Sequence, residues 1–131
     1  MNGTSFSPPL VAGSLAPLNS ARPGLTVDQY RSLPINSATA VADLAGQGAA
    51  IQKMGAEQSD LGASLRAWAA AVPATLGLGT GAAAPASLRV EDLGSETESY
   101  SLWVEPRAGA YGPVESVNTL EVAAGQGGNW C

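Results

Sequence analysis

The sequence predicts an α+β protein: an extended N-terminal arm, a long central helix in an intersubunit helix bundle, and a small antiparallel β-domain at the C-terminus. Three observations carry that prediction. Prolines and small residues crowd residues 1–25, a seven-residue apolar repeat runs from 41 to 72, and two-residue alternation sets in after 87. The chain accordingly divides into the arm (1–25), a short helix plus a long oligomerising helix (26–72), a Gly/Ala linker (73–86), and a β-domain with a Gly-rich tail (87–131).

In the arm, Pro8, Pro9, Pro17 and Pro23 bias the backbone toward extended paths. Phe6, Leu10, Val11, Leu15 and Leu18 are spaced through it as anchors. Composition by itself suits a disordered tail. Anchors at intervals suit an arm docked on a neighbouring protein, which is the reading adopted.

Thr26-Val27-Asp28-Gln29 fits a capping box, so a short helix is expected to start there and stop before Pro34. Asn36 or Ser37 then caps the long helix, which Pro73 ends; its length would be ~54 Å. Its heptad stripes are Val41, Gly48, Gly55, Gly62, Ala69, then Leu44, Ile51, Gln58, Leu65, Val72, and Gln47, Met54, Leu61, Trp68. Five strict heptads stay on one face only if helices supercoil. Each mid-helix glycine costs about 1 kcal/mol, which close helix packing would offset. The expected oligomer interface is Val41, Leu44, Gly48, Ile51, Met54, Gly55, Gln58, Leu61, Gly62, Leu65, Trp68 and Val72. Gln58 either fixes register in that seam or occupies a solvated gap. The alternative is a break near Gly46–Gly48 or Gly55 that folds the helix back as a hairpin.

Farther on, Leu88, Val90 and Asp92 alternate, as do Tyr100, Leu102 and Val104 within Thr97–Glu105. Gly94-Ser95 lies between them as a turn, which predicts an antiparallel hairpin. Val117–Ala123 supplies a third strand.

Apolar residues make up 45% of the chain, charged residues only 13%, and the net charge is −5. The usual charged share is about 25%, so this surface suits a subunit that is largely covered. One lysine, Lys53, and five scattered arginines argue against a nucleic-acid surface. The first 25 residues lack a secretory signal, and no apolar run approaches the ~20 residues that span a bilayer. The product is expected to be soluble and made in a host cytoplasm, without membrane contact.

Chemistry is sparse. There is no histidine, so hydrolytic triads and most zinc sites lose their commonest component. Cys131 has no partner in the chain and is either a free thiol or an intermolecular bridge. Glu91-Asp92 and Glu96/Glu98 flank the proposed turn and read as solvated acids rather than a catalytic pair. Gly77 to Gly81 lacks the ending of a phosphate loop, and no serine sits in a Gly-x-Ser-x-Gly elbow. Trp103 could serve as a sugar platform, but packing on a neighbour is the simpler use. No catalytic, cofactor or metal residue is expected, and the chain is read as no enzyme.

The Pro-rich stretch from Met1 to Leu25, the assembly helix and the small strand-rich head together resemble the small accessory proteins of tailed-phage virions, in particular capsid cement or decoration proteins. That resemblance implies a non-enzymatic virion protein, a dimer or trimer that clamps the major capsid protein or another virion protein. It transfers no residue role, because no motif is matched. A tail, fibre or baseplate adaptor with a helical stalk is the second reading, and a cellular glycan- or peptide-binding module the third.

Overall fold

The computed structural model describes residues 4–42, 55–77, 86–103 and 118–130. Within them the protein is α+β, with a few helices and small antiparallel sheets, as the sequence predicts at that level. The finer arrangement differs. A 3-10 turn at Thr4–Phe6 leads into helix α1 (Ser7–Ala21), where an extended arm was expected. Pro8 and Pro9 fall in the first turn, where an N–H has no intrahelical acceptor and its loss costs nothing. Pro17 lies inside the helix, at a cost of about 3 kcal/mol. Full burial of Leu18, worth about 1.5–3 kcal/mol, and part burial of Leu15 offset that cost in large part.

Helix α2 (Val27–Asn36) starts on the predicted capping box: Gln29 N–H donates to Thr26 Oγ1 at 3.2 Å, and Thr26 N–H donates to Gln29 Oε1 at 2.8 Å. It continues through Pro34 rather than stopping before it. Ser37 ends this helix instead of starting the next, its hydroxyl donating to Leu33 O at 2.6 Å. Asn36 Oδ1 likewise serves elsewhere, accepting from Ala71 N–H at 2.8 Å.

The long continuous helix is not present. Thr39 and Gln58 form an antiparallel bridge, with N–H···O distances of 2.8 and 3.2 Å. Gly55 (φ 60°) and Glu57 (φ 76°) adopt left-handed backbone that a right-handed helix cannot pass through. Gly55 suits that turn, since glycine takes a positive φ without steric cost, and open space within the chain surrounds the position of a side chain. Among the described residues helix recurs as α3 (Leu61–Arg66), whose N-terminus is capped by Asp60 Oδ1 accepting from Ala63 N–H at 2.8 Å. The following alanines form strand β1 (Ala69–Val72). Leu44, Gly48, Ile51 and Met54 lie outside the described residues.

Strands β2 (Leu88–Asp92), β3 (Glu98–Leu102) and β4 (Asn118–Val122) fall where alternation predicts them; β5 (Gly127–Trp130) falls in the expected tail. The pairing differs from the predicted hairpin. β2 is the centre of a three-stranded antiparallel sheet, β1-β2-β5, so neither edge is left for β3. β3 pairs with β4 in a second, two-stranded sheet. The two sheets meet where Leu120 lies against Gly128; a Cβ there would sit only 3.0 Å from a Leu120 methyl, so glycine makes the approach possible.

Leu18 of α1, Leu33 of α2 and Ala70 of β1 form the buried centre, ringed by Leu15, Leu25, Tyr30, Leu61, Leu65, Ala67, Val72 and Leu93. Helices and sheet therefore share one core. Among the described residues no helix is long and apolar enough to cross a membrane.

Candidate functional site

Histidine is absent, so among the described residues the candidates for chemistry are serine, carboxylate and tyrosine side chains. Most of the serines up to Leu61 are already committed. Ser14 and Ser20 donate back to Val11 O and Ala16 O, Ser32 is buried, and Ser37 bonds Leu33 O. Ser59 is exposed in a connecting segment just before the α3 cap.

Ser5 and Ser7 differ. Both are exposed at the start of the longest described helix. Ser5 lies one position into the 3-10 turn, beside the N–H groups that open a helix and have no acceptor within it. Pro8 and Pro9 follow Ser7 and carry no N–H. The backbone N–H groups at this end therefore lie ahead of Pro8, in the turn that carries Ser5, where the helix dipole is positive. That is the environment in which an oxyanion formed by attack of a serine hydroxyl is stabilised.

Helix α1 itself has no charged residue, and Phe6, Leu10 and Val11 stay exposed around it. Leu10 is 72% exposed. A helix apolar on several faces is ordinarily surrounded by protein. Of the five residues expected to anchor an arm, Leu18 is in the core and Leu15 is packed against it, while Phe6, Leu10 and Val11 face outward.

The helices are held to the sheet by polar latches. Arg22 donates through Nη1 to Ala67 O at 2.6 Å, and Tyr30 Oη donates to Arg22 O at 2.6 Å. The Gln29 amide, already used in the capping box, donates through Nε2 to Glu91 Oε2 at 2.7 Å. Among the expected interface residues, Leu61, Leu65 and Val72 pack on the core, Val41 and Gly62 are half-buried, and Gln58 and Trp68 are exposed.

One carboxylate departs from the solvated reading given to the turn acids. Asp92 is buried; its Oδ1 accepts from Gly94 N–H at 2.6 Å and its Oδ2 from Tyr100 Oη at 3.1 Å. Burial, reinforced by the hydrogen bond and negative charge of Asp92, pushes the Tyr100 phenol up to about 12. Nothing in the alternation of Leu88, Val90 and Asp92 marked this aspartate off, except that it occupies an inward register.

The model of the Subtilase family (Peptidase_S8) matches residues 1–61. The match covers the opening turn, α1 and α2, and ends at the first residue of α3. No curated protein matches the chain. The family match overturns the reading of the chain as a non-enzymatic virion structural protein of the capsid-cement kind, because it points to serine peptidases. The expectation that the chain has nothing to do with an enzyme is corrected with it. Sequence reasoning passed over Ser5 because it searched for Gly-x-Ser-x-Gly. The available signal was a serine just ahead of Pro8-Pro9, where prolines in a first turn open a helix.

Proposed function

We propose that this chain carries the serine-bearing segment of a subtilase-type peptidase, joined to a small β-structured module, with Ser5 as nucleophile. The observation that carries the reading is the family match over residues 1–61, which contains exposed Ser5 at the opening of the longest described helix. In subtilisin-type enzymes aspartate, histidine and serine follow one another in that chain order, serine last. A segment without histidine cannot supply the base, and Ser5 is the member of the triad we assign to it. The general base and the carboxylate that orients it come from polypeptide outside this sequence. The uncovered apolar surface of α1 supports the same conclusion, since that additional polypeptide would cover Phe6, Leu10 and Val11.

In the assembled enzyme, the Ser5 hydroxyl attacks the scissile carbonyl as the external histidine takes its proton. The backbone N–H of Ser5, ahead of the prolines, stabilises the oxyanion, and the same histidine then protonates the leaving amine. Labelling the natively purified species with a fluorophosphonate and mapping the modified peptide tests this. The expected adduct is on Ser5, and Ser5→Ala abolishes both label and peptide hydrolysis. A label on another serine, or undiminished hydrolysis by Ser5→Ala, overturns the assignment.

A further inference from the structure

The turn between β2 and β3 forms one wall of a recess of about 250 Å³, lined by Trp68, Gly94, Ser95, Glu96 and Glu98. Trp68 lies on the turn: a Cβ added at Gly94 would meet its Cε3 at 3.3 Å. The backbone fixes that placement, since Leu93 N–H donates to Trp68 O at 2.7 Å. Even so, Trp68 remains 68% exposed, so much of its indole is left free. Glu96 and Glu98 are exposed on the same rim, and the buried Asp92 carboxylate sits beneath the turn, bonded to Gly94 N–H. The only ion pair among the described residues joins Arg89 to Glu91, so no described cation answers Glu96, Glu98 or Asp92.

An open indole beside two unpaired carboxylates suits a cation with a flat or aliphatic body. Tryptophan is the strongest aromatic partner for such a group, and arginine the side chain that most often takes that place. We infer that the Trp68–Glu96–Glu98 recess binds an arginine side chain of a polypeptide substrate, as a subsite built on the β-module rather than on the serine helix. Its significance as a substrate subsite rests on the peptidase reading, while its binding can be measured without any catalysis.

The test titrates the full 131-residue chain with acetyl-arginine amide, using acetyl-citrulline amide as the uncharged near-isostere. Heat of binding and the NMR shift of the Trp68 indole N–H are followed together. The expected result is saturable millimolar binding of the arginine compound only, weakened at about 0.5 M salt. Trp68→Ala should weaken it roughly tenfold, and Glu96→Gln with Glu98→Gln roughly fivefold. Both glutamates are exposed, so their substitution leaves the fold intact. Asp28→Asn removes one negative charge on α2, away from the recess, and should change nothing. Equal binding of citrulline, equal weakening by Asp28→Asn, or no saturable shift at Trp68 overturns the subsite. If Ser5 takes no label yet arginine binds as described, the peptidase reading fails and the recess stands. If Ser5 is labelled and arginine does not bind, the reverse holds.

Discussion

The helical part of the molecule and the strand part deal with solvent in opposite ways. Helix α1 has no charge and leaves Phe6, Leu10 and Val11 outside. Residues 89–98 carry Arg89, Glu91, Asp92, Glu96 and Glu98 within one strand and turn. Exposed apolar area at ~25 cal/mol per Å² is costly to leave wet when it is contiguous on one helix, whereas charged turns are stable in water. The contrast teaches which surface the proposed reading leaves for further polypeptide: the apolar side of α1, and not the charged outer turn of the strands. Yet the two parts are not independent, because Leu18, Leu33 and Ala70 bury one another across the division.

The sharpest way to break this picture is at the shared centre. Leu18→Ala should cost about 2–5 kcal/mol by denaturant titration, and helix and strand signals should fall in one transition. Two separate transitions would show that the parts fold apart. Arg22→Met comes next. Loss of the charge-assisted bond to Ala67 O should cost about 1.5–3 kcal/mol and speed amide exchange at Leu93, which donates to Trp68 O beside that latch. Unchanged exchange would confine Arg22 to the end of α1. Thr26→Ala removes half of the capping box and should cost about 1 kcal/mol, with β1-β2-β5 unaffected in the NMR spectrum.

The smallest effect, confined to the strand part, is a dependence on alkaline pH. Tyr100 is raised to about 12 from an ordinary value of 10.0, so folding favours its protonated form. That contribution is complete below about pH 10 and is lost as pH climbs through about 12. Tyr100→Phe should remove this part of the alkaline decline, and ultraviolet titration should find one tyrosine ionising later than the rest. If every tyrosine ionises together near pH 10, the Asp92 contact does not hold in solution.

Local signals were legible where a short motif decides the outcome. Thr26 and Gln29 announced the α2 cap, and alternation placed three of the strands close to their positions. The heptad misled because Ala, Gly and Leu at seven-residue spacing also fit a chain of short pieces. Gly55 marks a left-handed turn there, and Ala69 to Val72 join a sheet whose centre, β2, lies far along the sequence. The hairpin failed for a related reason, as Gly94-Ser95 says where the chain bends but not that β1 and β5 already occupy both sides of β2. Ser5, the nucleophile we propose, did not stand out because a nucleophile is defined by neighbours in space and the chain has no histidine to act as its base. Asp92 was hidden because burial of one acid out of a run depends on Tyr100 reaching it from another strand.

Ala70 is fully buried, packed among leucines from two helices. Anyone grafting a different β-module onto such a helix pair must keep an alanine-sized residue at this spot. A valine would prise the helices from their bed, and with them the serine that rides at the tip of the first.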